Sequence, residues 1–391
     1  MSSHRRNGSR ELVSRPLLAG ILAVMLLVAS VAAWRGLGDR IDDDSSASAG
    51  TCLDGEAVVP VIADPGVAPA LAQIADDYNA LHPVVRDRCI SVQVRPADAV
   101  TVLEGLTADD WDEQAYGAFP GAWVPESSIW TAALQTARPE VLSGDPQSLV
   151  TSPVLLAMEP QIASAGGDGV AWSELPSLTR ANALAVYGRS SWGSMRIAMP
   201  QGAQSDATAL AGQAVAAATA DTDQPLTERQ ASSGAVTAAL DELMSAPPRI
   251  GDGSAEAAVR SIIDTDDPGD TPVRAVPITE QRLYLLTRDD RRARVAAVRP
   301  EGATPLADYP VISLSSAQSR AYLADATSEF FTFARKPEQL KLLTASGFRG
   351  AGPLPEPTAT VRFDEVRDPL PVPQPAAATT INAVVLPAAT P

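Results

Sequence analysis

The sequence predicts an α/β fold with room for two lobes, and three observations predict it. From residue 52 onward, short β-branched runs alternate with segments of helical spacing, the order of a sheet with helices on its faces. An apolar share of 45% over 391 residues can form two ordinary cores or one large one, which rules out disorder of the whole chain. After Thr151 the alternation restarts, and the segments up to about residue 277 can form a second lobe.

Taken in order, Glu56 to Ala63 (EAVVPVIA) is a β-branched apolar run and predicts a strand. Asp64-Pro65 followed by APALAQIADDYNAL predicts a helix, with Asp64 near its N-cap and apolar residues at helical spacing. Cys89 to Val94 reads as a strand, Val100 to Leu106 as a short helix and Ala122 to Val124 as a short strand. Ser127-Ser128 opens a helix through Leu134. This order argues for a parallel sheet. Pro153 to Met158 and Met195 to Met199 are further strands, and Asp206 to Ala218 and Glu228 to Met244 are helices. Val273 to Pro277 and Arg282 to Thr287 (RLYLLT) read as strands, and Val295 to Leu314 as two more. Two helices follow, SRAYLADATSEFFTFAR and KPEQLKLLTASGFRG, with Gly347 as the C′ residue of the second. Residues 353–391, rich in Pro, Ala and Thr, read as a linker or tail.

The N-terminus reads differently. Leu17 to Ala33 carries no charge and reaches roughly 25 Å as a helix, enough to cross a hydrocarbon core between Pro16 and Trp34. Arg5, Arg6, Arg10 and Arg15 precede it, which keeps residues 1–15 cytoplasmic and sends the remainder outside. Residues 1–40 hold six basic and two acidic groups, so the net charge beyond them is −21. The expectation is a transmembrane helix over residues 16–35 and an acidic stalk over 36–51. A cleaved signal peptide competes, because Ala29 to Ala33 (ASVAA) offers small residues at a cleavage point; the length of the run favours an anchor. Cys52 and Cys89 would lie outside, where an even pair reads as one disulfide.

Composition also excludes. A net charge of −17 repels phosphate backbones, which argues against a nucleic-acid partner. Two His and two Cys leave little for zinc sites, His-dependent triads or thiolate clusters. Neither G-x-x-x-x-G-K-[ST] nor G-x-G-x-x-G is present, and no cofactor is expected. Asp264 to Asp270 (DTDDPGD) lacks the bidentate Glu of a calcium loop and reads as a solvated acidic loop. His82, beside Pro83 at a helix end, reads as structural.

Several phrases in fixed order resemble the type 2 periplasmic solute-binding family, the extracellular receptors of ABC importers. They are VIADP (61–65) with APALAQIADDYN, AWVPESS (122–128) with Trp130, TSPVLLAM (151–158), VPITEQ (276–281), DYPVIS (308–313) and EFFTFARKPEQLKLLTASGF. The nearest resemblance is to membrane-anchored actinobacterial proteins in which such a domain often precedes a von Willebrand factor A domain. The domain is read as residues 52–352, and the resemblance covers residues 52–350. It implies a hinged, two-lobed fold, with lobe 1 over 52–152 and 278–352 and lobe 2 over 153–277, and hinge strands near 152–158 and 272–278.

Ligands of open α/β sheets sit beyond the carboxyl ends of strands, where helix N-termini present free N–H groups. The candidate ligand contacts are therefore Asp64, Pro65, Asp98, Glu126, Ser127, Ser128, Ser205, Asp206, Thr279 and Glu280. By resemblance, Ser127 and Ser128 lie where related receptors offer donors to an oxyanion. Asp64 and Glu126 oppose an anion unless a cation or Arg offsets them, which leaves a polar neutral, cationic or peptidic ligand. For Asp64 a helix cap, and for Ser127 and Ser128 simple capping, are the competing roles. Trp123 and Trp130 read as core residues with ligand stacking as the alternative. The functional expectation is a non-catalytic, membrane-anchored binding protein with a small-molecule ligand and a permease or von Willebrand factor A type partner. An extracellular interaction scaffold on the same fold is the alternative. An enzyme would have to work with two carboxylates, as a glycosidase does.

Overall fold

The computed structural model describes residues 52–165, 169–315 and 321–387. The expected transmembrane helix, cytoplasmic N-terminus and stalk lie outside the described residues. No described helix is long and apolar enough to cross a membrane.

The chain divides into two compact units. In the small one, Cys52 and Cys89 form a disulfide with Cα atoms 5.1 Å apart. Here β2 (Val84–Val85) turns back onto the start of β3 (Arg88–Pro96) through Arg86 and Asp87. Both turn residues have positive φ, the geometry that suits a tight two-residue hairpin.

The larger unit holds the elements that build the site. From β1 (Glu56–Ala63) the chain enters α1 (Ala68–Asn79), and after β3 come α2 (Ala99–Thr107), α3 (Glu113–Tyr116), β4 (Ala122–Val124), α4 (Ile129–Ala137) and β5 (Gln147–Ser148). It then continues through β6 (Ser152–Met158), α5 (Pro160–Ala165), α6 (Leu175–Leu178), α7 (Asp206–Thr219), α8 (Glu228–Ala231), α9 (Gly234–Leu243) and α10 (Ala255–Ile263). It returns by β7 (Ala275–Thr279), α11 (Glu280–Thr287), β8 (Ala296–Val298), β9 (Leu306–Ala307) and β10 (Pro310–Ser313). Last come α12 (Ala321–Ala334), α13 (Pro337–Ala345) and α14 (Pro375–Val385).

Two sheets form among the described residues. The first runs β3–β1–β4–β10–β5, and the second is β7–β6–β8 with β9 added to β6. The parallel sheet expected from the sequence holds where β1 pairs with β4. β10 lies antiparallel to β4, and β6 is antiparallel to β7, β8 and β9. The physical reason is the excursion between lobes. The chain leaves along β6 and returns along β7, so strands on the return leg run opposite to those on the outward leg.

Four other expectations need correction. Arg282 to Thr287 is helical, within α11, which buries Glu280, Gln281, Leu283, Tyr284 and Thr287 at helical spacing. Six residues were too few to show that period. Met195 to Met199 makes no strand beyond a bridge from Ile197 to Ala275. Glu228 to Met244 breaks at Ser232-Ser233, where the Ser233 hydroxyl caps α9. The Pro-rich segment after Gly352 is not a free tail: α14 buries Ala377, Ala378, Ile381, Asn382 and Val385 against α4, α7, α8 and α9.

Candidate functional site

The site lies where the two sheets' helices approach each other. From the first lobe, Asp64 follows β1, Glu126 and Ser127 follow β4, and Arg282 lies in the first turn of α11; from the second, Asp206 opens α7. Asp64 and Glu126 follow the carboxyl ends of the parallel strands β1 and β4, and Arg282 follows that of β7.

Asp64, Glu126 and Asp206 are nearly fully buried. Arg282 places Nη2 3.9 Å from Asp64 Oδ1 and 3.9 Å from Glu126 Oε2. Its Nη1 donates to the Gln204 carbonyl at 3.0 Å. Ser127 Oγ and Trp130 Nε1 both donate to Asp206 Oδ2, at 2.6 and 2.8 Å, so a carboxylate of one lobe docks on two donors of the other. At the start of α4, the Ser128 backbone N–H donates to Asp308 Oδ1 at 2.7 Å and its hydroxyl donates to Asp308 Oδ2.

Three carboxylates and one guanidinium in a desolvated space cannot all hold full charge cheaply. Burial pushes Asp206 up to about 7. Burial likewise raises Asp64, and raises Glu126 well above the carboxylate range, with Arg282 opposing both shifts. Burial works against the Arg282 charge, but Glu126 and Asp64 outweigh it and raise its pKa. Glu126 Oε2, Arg282 Nη2, Tyr309 Oη and Ser205 Oγ are buried without a hydrogen-bond partner. Each such atom costs roughly 1–3 kcal/mol, and a cluster of them in a native fold calls for a functional explanation.

A cavity of about 270 Å³ is lined by Ser128, the residue after Ser127, and by Leu210, one turn beyond Asp206 in α7. Ser128, Ile129 and Ala132 form its first-lobe wall and Leu210 and Gln213 its second-lobe wall; Asp308 lies between, and Leu370 to Pro373 close the remaining side.

The structure thus brings together Asp64, Glu126, Ser127, Ser128, Ser205, Asp206 and Thr279, the last with its hydroxyl facing Glu126. Asp64 acts through an Asx turn to the Gly66 N–H at 2.7 Å, while the helix cap position belongs to Val67. Asp98 caps α2 through the Val100 N–H, and Pro65 is exposed. Glu280 is not brought to the cluster: Arg349 grips both its oxygens, at 2.7 and 2.9 Å. Trp123 and Trp130 are core residues, and Trp130 is also a donor within the site. Sequence reasoning missed Arg282 and Asp308 as site residues. Arg282 was hidden by the strand reading; the signal that finds it is Thr279-Glu280, a cap residue and a first-turn acid opening a helix.

Residues 59–349 match the family of bacterial extracellular solute-binding proteins. The chain belongs to this family. Uncharacterized proteins of two Mycobacterium tuberculosis strains are 37% identical over 365 residues, 93% of this chain. The chain spans 52% of the length of these relatives. Among solved structures, iron-bound HitA from Pseudomonas aeruginosa superposes with a TM-score of 0.56 at 14% identity, covering 84% of this chain and 96% of HitA. A putative extracellular solute-binding protein from Bordetella parapertussis gives 0.55 at 11% identity, with 84% and 96% covered. These likenesses establish the two-lobed periplasmic binding fold. Among the described residues of this solute-binding protein, no three His, Cys, Asp or Glu side chains are grouped to hold a metal ion.

Proposed function

We propose that this chain is a membrane-tethered extracellular receptor that closes two lobes over a small neutral or cationic polar solute and catalyses nothing. The observation that carries this reading is the convergence of Asp64, Glu126, Asp206 and Arg282 from both lobes on one buried cluster with unpaired polar atoms. Family membership supports solute binding, and the uncharged run Leu17 to Ala33 behind four arginines supports the tether. The carboxyl groups that burial keeps protonated can both donate and accept hydrogen bonds, which suits a polar solute. The antiparallel pair β6 and β7, the two strands on which the chain leaves and returns, is suited to act as the hinge. A permease or a von Willebrand factor A type protein is the partner this reading favours.

A second reading has an observation of its own. Asp206 and Asp308 occupy the donors of Ser127, Trp130 and Ser128 from within the chain, and α14 spans elements of both lobes. A domain so held closed suits a scaffold for a protein partner. A thermal-shift screen of the chain against sugars, amino acids, polyamines and oxyanions separates the two readings. A neutral or cationic class should raise the midpoint by a few degrees at a concentration about a hundredfold above Kd. A screen without any shift overturns the receptor reading in favour of the scaffold.

A further inference from the structure

Four features define the chemistry of the interlobe cavity more narrowly. Its carboxylate is Asp308, which burial raises above the usual range and which the Ser128 N–H and hydroxyl hold in place. Among the described residues, no Lys, Arg or His lines it. Its remaining walls are mainly apolar: Ile129 and Ala132 from α4, Leu210 from α7, and Leu370 to Pro373 from the C-terminal segment.

That C-terminal wall is a fixed part of the fold. Leu370 N–H donates to the Thr304 carbonyl and Thr304 N–H to the Asp368 carbonyl, both at 2.7 Å. Gln374 N–H reaches the Leu226 carbonyl at 2.9 Å. Beyond it, α14 lies so close to α7 that a Cβ on Gly212 would stand 2.9 Å from a Val385 methyl.

We propose that this cavity is the solute site and that it takes a small amphiphilic amine, with its ammonium at Asp308 and a compact apolar body against Leu370, Val372 and Pro373. The inference rests on the solute-binding reading and adds the solute class and the third wall. A carboxylate without a basic neighbour in the wall favours a cation and repels an anion of the same shape. The apolar walls favour a body that loses its water on entry.

The test uses the full chain and three probes of matched design. Cyclohexylamine carries head and body, cyclohexanecarboxylate keeps the body with an anionic head, and ethanolamine keeps the amine without the apolar body. Calorimetry should show cyclohexylamine binding at least about tenfold more tightly than either of the others. Asp308→Asn, which keeps an acceptor for the Ser128 N–H and offers the Ser128 hydroxyl an N–H to accept from, should erase the preference over cyclohexanecarboxylate while leaving the melting midpoint near wild type. Leu370→Ala should erase the preference over ethanolamine. A thermal shift with a sugar or oxyanion and none with cyclohexylamine leaves the receptor reading intact and overturns this inference. Cyclohexylamine affinity that survives Asp308→Asn also overturns it, as does the absence of binding by any probe.

Discussion

At the scale of single residues, protonation governs the cluster. Asp206 is pushed up to about 7 by burial, whereas an unfolded chain releases that proton near pH 3.9 (about). The folded state therefore holds the extra proton between those values, and the stability it contributes is complete below about pH 4 and is lost as pH rises through about 7. Asp64 and Glu126, raised in the same direction and facing Asp206 together with Arg282, add to the trend. Urea unfolding should show lower stability at pH 8 than at pH 5, with Asp206→Asn flattening the difference by an amount on the order of 2 kcal/mol. An unchanged slope in that variant would remove Asp206 as the source. Arg282→Met removes the one guanidinium that faces Asp64 and Glu126. Breaking a buried ionic arrangement from one side costs about 3–5 kcal/mol, and protonation of the abandoned carboxylates lowers that cost. The loss should be larger at pH 8 than at pH 5; equal losses would mean that Arg282 acts through packing alone.

At the scale of elements, α14 shows how a weakly patterned segment becomes structure. PAAATTINAVV is rich in Ala and Thr, has no charge, and would be marginal as a helix in water. Its stability comes from burial of Ala377, Ile381 and Val385 against α7, itself buried along nearly its whole length. Ile381→Asp places a carboxylate in an apolar contact, and the expected cost is about 3 kcal/mol or more, read as a lowered unfolding midpoint. A midpoint within a degree of wild type would show that α14 contributes little. By contrast α13 could be read to its end. Gly347 takes φ +92, its N–H meets the Thr344 carbonyl and the Phe348 N–H meets the Leu343 carbonyl, the paired closure that a C′ glycine provides.

At the scale of the whole molecule, the disulfide and the lobe arrangement are the two large constraints. Cys52 and Cys89 are 37 residues apart, and a loop of that size restrains the unfolded chain by roughly 2–4 kcal/mol. Paired Cys52→Ser and Cys89→Ser changes should lower the stability by that amount, measured by denaturant unfolding against the oxidised chain. No loss would place the cross-link in a part of the chain that does not unfold with the rest. The amino-acid sequence by itself determined the alternation of strands and helices in the first lobe, the strand-to-helix turns that carry Asp64, Glu126 and Ser127, the helix that Asp206 opens, and the pairing of the only two cysteines, because these depend on local pattern and simple counting. Only the tertiary structure decided that Arg282 faces two buried carboxylates, that Asp308 holds the start of α4, and that the Pro-rich end of the chain walls the cavity. Those facts depend on contacts between residues some 80 to 180 positions apart, such as Ser127 with Asp206 and Ser128 with Asp308, which no local period records.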